Sequence, residues 1–381
     1  MERYRAWLAL HLLPDVGPAR VNRLVRRFGS PEAVLDAPEP ALREVEGVGP
    51  MCVAALRDWR RLTDVDAELA LVERHGVSLV SILDDHYPRG LARVAVPPPL
   101  LYYRGTLEPL DEAAVAVIGA RKMSRYGREV AERIASELAR AGVTVVSGLA
   151  IGVDGVAHRA ALEAGGRTLA LLGRGLSRIY PAQHGELAAA IERSGAVISE
   201  MPMAAEPDAG SFPRRNALIA WLSLGVVVVE AGGRSGTSIT VGYALDESRA
   251  IFAVPGDVTR ANSIGTNRLI RDGARLATSG RDVLADLRDE LGRFLSNLPR
   301  TGDGDGPAEP PPLPKELSDL ERAIADALET DTLPIDDLRE ALAVADPAAP
   351  PVVTGDLMSA LLRLQLLGLV RQEPGMRFRR A

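Results

Sequence analysis

The stretch Val115-Ala116-Val117-Ile118-Gly119-Ala120-Arg121 decides how this chain is read. Four consecutive apolar residues, three of them β-branched, suit a strand buried on both faces, and the Gly-Ala-Arg after it suits a loop opening toward a ligand. The pattern recurs at 143–146, 168–172, 197–199, 226–229 and 251–254. Amphipathic helices separate these runs, as at 127–141, where Val130, Ile134 and Leu138 fall at helical spacing. Strand and helix in alternation predict a doubly wound, mostly parallel α/β sheet. Upstream, 77–82 and 100–103, separated by Pro97-Pro98-Pro99, add strands or a lid.

At 381 residues with 46% hydrophobic and 25% charged, the chain has room for two or three soluble domains. A formal net charge of −6 argues against coating nucleic acid or an anionic membrane through bulk positive charge. Cys52 is the single cysteine, so no intramolecular disulfide or multi-cysteine zinc site forms, and a reducing cytoplasm is the expected compartment. The apolar stretch 7–13 is short and runs into Pro14-Asp15, unlike a signal peptide, and no run of 18 apolar residues exists to span a bilayer. Only Lys122 and Lys315 are lysine, and they follow Arg121 and Pro314. A Walker A loop, which needs Gly-Lys-Ser/Thr, is excluded.

The charge is not evenly spread. Residues 1–110 carry 14 basic and 15 acidic groups, 111–296 carry 22 and 21, and 297–381 carry 9 and 15. The negative excess therefore sits in the last segment. It opens with a Pro/Gly/Asp-rich stretch that reads as a linker over 297–314. The boundaries that follow are a helical domain over 1–70, an α/β domain over 77–296 and a C-terminal domain over 315–381. In the first, Val16-Gly17-Pro18 and Val48-Gly49-Pro50 place an apolar-Gly turn before a helix twice, which resembles the helix-hairpin-helix motif. Such turns either hold a phosphate on exposed N–H groups or join the helices of a SAM-like bundle. In the last, Leu320, Ile324 and Leu328, then Ile335, Leu338 and Leu342, then 357–367 predict three helices, and a hairpin around Pro374-Gly375 completes a winged-helix-like pattern. Its third helix offers only Arg363, so it is read either as a duplex reader or as a protein-contact or regulatory module.

In an open α/β sheet, ligands bind beyond the carboxyl ends of the strands. The segments placed there combine Gly or Ser with arginine: Gly119 to Gly127, Ser147 to Asp154, Gly173 to Pro181, Ser211 to Asn216 and Glu230 to Thr237. Backbone N–H groups together with guanidinium forks make a phosphate-binding surface. Arg121, Lys122, Arg125, Arg174, Arg178 and Arg215 then share one rim, so a polyanion is the expected ligand. Phe212 beside them either stacks a base or fills the core before a helix starting at Pro213. No dinucleotide fingerprint follows the first strand and no Gly-x-Ser-x-Gly elbow is present. Asp154 and His158 at i and i+4 lack a third ligand for a metal, and read as a helix cap and a packing or loop-bonding histidine. The remaining histidines, His184 among them, read as surface or packing residues.

The ordered set Val117-Ile118-Gly119-Ala120-Arg121, Ser147-Gly148-Leu149-Ala150 with Asp154 and Ala157-His158, Leu172-Gly173-Arg174-Gly175-Leu176, Phe212-Pro213-Arg214-Arg215-Asn216 and Val229-Glu230-Ala231 with Ser235-Gly236-Thr237 resembles the DNA-processing protein A (Smf) family over about 77–285. The resemblance implies an extended Rossmann domain between a helical N-terminal and a winged-helix-like C-terminal domain. It implies a homodimer that is not an enzyme and uses no cofactor, binds and protects incoming single-stranded DNA, and loads RecA against single-strand-binding protein during natural transformation. Carried over by motif, Arg121 contacts the DNA backbone, and Gly119, Ser147 and Gly148 supply N–H donors. Phe212, Arg215 and Asn216 line the pocket, with Lys122, Ser235 and Gly236 beside them. Leu269 and Ile270 are the candidates for the dimer seam. Family members often carry a basic residue where this chain has Ala182 and Ala217, and Arg174 and Arg178 are expected to restore that charge. Two alternatives come from other classes. A LOG or lysine-decarboxylase-like phosphoribohydrolase would need a catalytic glutamate where Thr240 stands. A winged-helix transcription regulator would need a basic reading helix.

Overall fold

The computed structural model describes residues 2–208, 210–233, 235–295, 317–328, 333–345, 353–366, 369–373 and 377–380. The expected linker at 297–314, Arg234 and the Pro374-Gly375 turn lie outside these. The chain divides into two compact units, 1–299 and 300–381.

The first unit begins with helices α1 Arg5–Leu12, α2 Pro18–Phe28, α3 Pro31–Asp36, α4 Glu39–Arg43, α5 Pro50–Arg57, α6 Trp59–Leu62 and α7 Val65–Arg74. Gly17 and Gly49 are the extended N-caps of α2 and α5, each followed by proline at the first helical position, where its missing N–H costs nothing. Arg20 ties the two turns together, donating from Nε to Gly47 O at 2.8 Å and from Nη1 to Asp15 O at 2.6 Å. Leu8, Leu10, Leu24 and Leu56 are fully buried in a core continuous with Tyr102, Leu149, Leu172 and Met203 of the sheet layer.

The sheet layer then runs β1 Ser78–Ser81, α8 Arg89–Ala92, β2 Leu100–Gly105, β3 Ala114–Ile118, α9 Arg125–Arg140, β4 Thr144–Ser147, α10 Val153–Glu163 and β5 Thr168–Leu172. It continues α11 Gly185–Ser194, β6 Ala196–Ser199, α12 Ser211–Trp221, β7 Gly225–Val228, α13 Thr237–Asp246, β8 Ala250–Ala253, α14 Ile264–Arg271, β9 Arg275–Leu276, α15 Gly280–Asp286 and α16 Arg288–Leu295. The strand order is β1-β2-β6-β5-β4-β3-β7-β8-β9. Strands β3 to β9 are parallel, whereas β1 and β2 pair antiparallel with each other and β2 antiparallel with β6. The upstream segments are thus strands rather than a lid. Val115, Ala116 and Val117 are wholly buried. Val130, Ile134 and Leu138 of α9 cover one face of the sheet, and Leu218 of α12 with Val241 of α13 the other. Helix α9 starts two residues before the expected 127 because the Ser124 hydroxyl accepts from Gly127 N at 3.0 Å and caps it.

Chain direction positions the site. From β3 the winding proceeds through β4 and β5 to β6, then crosses to the other side of β3 at β7. Ala116 pairs with both Val146 and Val226, so the carboxyl ends of β3, β4 and β7 lie side by side and their loops diverge around a crevice.

In the second unit, α17 Asp319–Ala327, α18 Ile335–Ala345 and α19 Thr354–Leu366 accompany a three-stranded sheet of β10 Leu333–Pro334, β11 Val370–Glu373 and β12 Arg377–Arg380, in the order β10-β12-β11. Ile324, Leu338, Leu361 and Phe378 centre its own core.

Candidate nucleic-acid interface

The crevice at the switch point holds two adjoining cavities that share Arg121, Ala150 and Arg215. One, of about 350 Å³, runs over Gly119, Asn216, Ser235 and Gly236. The other, of about 60 Å³, lies against Gly148, Gly173, Arg174, Tyr180 and Phe212. Of the sequence-predicted residues, Gly119, Arg121, Gly148, Arg174, Phe212, Arg215, Asn216, Ser235 and Gly236 therefore meet along one groove.

Helix α12 sets the arginine geometry. The segment 211–216 forms the first turns of a helix that starts at Ser211, two residues before the Pro213 expected from the sequence. Pro213 fits because a first-turn proline forfeits no helical hydrogen bond. Asp208 Oδ1 accepts from Gly210 N at 2.9 Å and from Ser211 N at 2.6 Å, pinning the helix start. Phe212 is half-buried, and Arg121 stands 5.9 Å from its ring centroid, so the ring faces the groove and is no core plug. Arg214 turns aside to Glu200, Nε to Oε1 2.8 Å.

Arg215 is buried, 3.8 Å from the buried Asp154 carboxylate, and its Nε has no hydrogen-bond partner among the described residues. Burial pulls the guanidinium below its ordinary pKa; Asp154 opposes that pull and Arg121 adds to it. Burial likewise pushes the Asp154 carboxyl up, against Arg215 and the N–H groups of Ala150 and Gly148. Two cations, Arg121 and Arg215, thus face one carboxylate that is itself held by the loop. Arg121 is exposed and makes no ion pair among the described residues. The groove is short of negative charge.

The β4–α10 loop is built around that carboxylate. Asp154 Oδ2 accepts from Gly148 N at 3.2 Å and from Ala150 N at 3.4 Å, so Asp154 ties down the loop in front of its helix and is not the expected helix cap, a position that Gly152 holds. Between them Leu149 takes a left-handed φ of 56° with its side chain buried, and His184 Nδ1–H donates to Leu149 O at 2.8 Å. A non-glycine residue in that region is costly and persists where surrounding contacts hold it, which is common at binding sites. Gly152, with φ 98°, lets the loop pass over Ala120 O, where a Cβ would collide. His158, the packing alternative of its expected roles, is wholly buried and hydrogen-bonds Thr168 Oγ1 of β5 at 2.7 Å, and burial drives its pKa down to about 3, leaving it neutral.

Several predicted residues are placed otherwise. Ser147 is buried at the end of β4, its hydroxyl donating to Val117 O of the neighbouring strand β3 at 2.7 Å. The Gly148 N–H is already given to Asp154; the glycine is required because a Cβ there would overlap the Arg215 guanidinium. Arg174 is buried and ion-paired with Glu206, so it cannot restore charge as a free cation. Lys122 and Arg178 are exposed and line neither cavity. Ala217 is buried, so that position subtracts nothing from the rim. Leu269 packs against the core of its own sheet layer and Ile270 is half-buried. Thr240, at the place of a hydrolase glutamate, is buried.

His184 is buried, the packing alternative of its expected roles. Three contributors had no role assigned from the sequence. Ile151 and Tyr180 are exposed apolar side chains lining the smaller cavity. Glu230 holds the β3–α9 loop, accepting from Ser124 N at 2.9 Å, from its hydroxyl at 2.5 Å and from Asn262 Nδ2 at 3.1 Å. Only Glu230 carried a signal, as a carboxylate at the end of an apolar strand.

With this geometry in view, known proteins place the chain. The family model of DNA recombination-mediator protein A matches residues 78–288. The chain belongs to that family. Protein Smf of Synechocystis is 33% identical over 98% of both chains, and protein Smf of Escherichia coli 36% identical over 83% of this chain and 82% of its own. The crystal structure of DNA processing protein A from Streptococcus pneumoniae superposes with a TM-score of 0.64 at 34% identity, covering 74% of this chain and 96% of that one. DNA processing protein A from Helicobacter pylori, solved for its unique single-stranded DNA binding mode, gives a TM-score of 0.51 at 30% identity over 56% of this chain and 96% of its own. The matched residues include every segment lining the groove. Membership makes the chain a recombination mediator of the extended Rossmann type, and among the described residues no helix is long and apolar enough to cross a membrane.

Proposed function

We propose that the switch-point groove binds single-stranded DNA. One observation carries this reading: Arg121 and Arg215 flank a single loop-bound carboxylate, leaving cationic donors placed to receive an added anion. Charge-assisted hydrogen bonds of guanidinium to phosphate are the strong kind. Phe212, with Tyr180 and Ile151 along the same cavity, offers a face on which an unpaired base stacks. A duplex shows no such face, and with a net charge of −6 the chain has little bulk attraction for one. The single-stranded binding of the Helicobacter pylori relative supports the same ligand.

The finer role follows from the family. The chain acts, in this reading, without catalysis in the cytoplasm, as a homodimer that protects incoming single strands and hands them to RecA past single-strand-binding protein. Leu269, because it packs inward, is a weaker seam candidate than Ile270 or the half-exposed Ile264 on the same helix. The second unit serves as a protein-contact or regulatory module, since Arg363, the basic residue of α19, is 3.3 Å from the buried Glu321.

Titration of labelled single-stranded and duplex oligonucleotides with the full chain and Arg121→Ala tests the ligand. We expect single-strand preference and about tenfold weaker binding by the variant, the loss of one charge-assisted contact. Equal duplex affinity, or an indifferent variant, overturns the reading. RecA filament growth on strands coated with single-strand-binding protein tests the mediator role, and no acceleration by this chain overturns that role alone.

A further inference from the structure

The groove has a third arginine that is already occupied. Arg174 lines the smaller cavity with its side chain 9% exposed, and its Nη2 donates to both Oε1 and Oε2 of Glu206 at 2.9 Å. The match is incomplete. Both carboxylate oxygens share one nitrogen, and the adjacent Nε, buried, has no partner among the described residues. The side-on fork of a guanidinium presents Nε–H and Nη2–H in parallel, and two oxygens of a phosphodiester engage both at once.

Glu206 itself is built to leave. Its side chain is 66% exposed, and its hydrogen bonds among the described residues go to Arg174 alone. The backbone around it is held without its carboxylate: Ala205 N donates to Pro202 O at 2.9 Å, Gly175 N to Ala205 O at 2.9 Å, and Ser177 N to Met203 O at 3.1 Å. Arg174 is fixed from its own side, with Ser199 Oγ donating to its carbonyl at 2.7 Å. Met203 N is anchored by Glu68 of α7 at 2.7 Å, so the segment stays in place when the carboxylate swings out.

We propose that Glu206 is a phosphate surrogate: it neutralises Arg174 in the empty groove and is displaced when a nucleic-acid phosphodiester takes the guanidinium fork. This rests on the groove being the single-strand site. It makes Glu206 a determinant of affinity, since each binding event must first break an internal ion pair, and of salt dependence. A phosphate that meets a free arginine releases counterions, about 0.7 per phosphate on a single strand. A phosphate that expels a carboxylate frees a negative group that gathers counterions again, so the net release is smaller.

The test is fluorescence-anisotropy titration of a labelled oligothymidylate with the full chain over a series of KCl concentrations, for wild type, Glu206→Gln, Glu206→Ala, Arg174→Ala and Arg174→Ala combined with Glu206→Gln. Both Glu206 variants should bind about three- to tenfold tighter than wild type at moderate salt, with a salt slope steeper by up to about 0.7. In the Arg174→Ala background Glu206→Gln should gain nothing, which separates displacement from the general field of one acidic group. Glu206 variants that bind like wild type or more weakly, while Arg121→Ala still loses affinity, overturn the inference and leave the groove reading standing. Equal gains with and without Arg174 overturn it too. A wild-type chain with no affinity for the oligonucleotide overturns the groove reading and this inference with it.

Discussion

Two arginines whose side chains are each only 10% exposed stand at opposite poles of the sheet, and they differ in how well they are answered. Arg167, before β5, donates from Nε to Asp111 Oδ1 at 2.7 Å and from Nη2 to Asp111 Oδ2 at 2.9 Å, a full fork. Its Nη1 reaches Glu108 and the Thr106 hydroxyl at 3.0 Å each, and Nη2 also reaches Thr106 O at 2.6 Å. These partners outweigh burial and raise its pKa. Arg215, at the carboxyl pole, has one carboxylate at 3.8 Å and an orphan Nε, and its pKa is lowered. A saturated guanidinium is a structural clasp. A buried, unsaturated one that faces the groove is, under the proposed function, a binding group whose missing partner comes from the ligand, because an unmet buried donor costs about 1–3 kcal/mol.

The comparison breaks most visibly if the two arginines are removed in turn. Arg167→Ala leaves Asp111 buried without its cation and should cost about 3–5 kcal/mol in urea unfolding, with single-strand affinity unchanged where the protein is folded. Arg215→Ala should do the reverse: a smaller stability loss and single-strand binding weakened about a hundredfold, or about 3 kcal/mol. Matching profiles for the two variants would dissolve the distinction. Next in size comes Phe212→Ala, expected to weaken single-strand binding by about 1–3 kcal/mol through lost stacking, with Phe212→Trp retaining affinity. If Phe212→Leu binds like wild type, the ring serves only as apolar filling.

Asp154 sharpens the contrast through pH. Its folded pKa lies above the ordinary 3.8, so the folded state holds this proton more tightly than the unfolded one. Stability linked to it is therefore greatest below about pH 3.8 and falls as pH rises through the folded value. Asp154→Asn removes that fall. Measured by urea unfolding from pH 4 to 7, the variant should lose stability for leaving Arg215 alone, yet gain on wild type as pH rises through the folded value of the Asp154 carboxyl. A stability difference that is flat across this range would show that burial does not govern the carboxyl.

The sheet was legible at β3 to β8 because those strands lie in continuous apolar runs, which mean burial on both faces, whereas β9, two exposed residues at Arg275–Leu276, gave no such signal. Val115 to Ile118 and 168–172 needed no other information. The rim was legible as composition, Gly and Arg after each strand, but composition cannot say which donors are free. Gly148 and Arg174 look as available as Gly119 and Arg121 in the chain. Only the fold shows that Asp154 takes the Gly148 N–H and Glu206 takes Arg174. Pairings over 32 residues, as between Arg174 and Glu206, leave no local periodicity to detect. The half-buried Phe212 was ambiguous for a related reason, since helix α12 begins two residues before the proline taken as its first turn.

The smallest expected effect concerns two glycines that look alike in the chain. Gly148 sits where a Cβ would overlap the Arg215 guanidinium, so its substitution disturbs the site directly. Gly49, at the start of α5, has an ordinary φ of −87° and open space around a Cβ. Gly49→Ala should cost less than about 1 kcal/mol, the difference between glycine and alanine as an N-cap. Nor should it alter single-strand binding, because Arg20 already ties this turn to its twin at Gly17 through their carbonyls, so the pair serves as an interhelical joint. The measurement can contradict this. A Gly49→Ala variant that folds normally but binds single strands more than about threefold more weakly, which is about 0.65 kcal/mol, would mean that a phosphate lies against the turn closely enough to feel one methyl group. The helical layer would then join the switch-point groove as a second binding surface, and the division between a satisfied pole and an unsatisfied one would no longer account for where the strand goes.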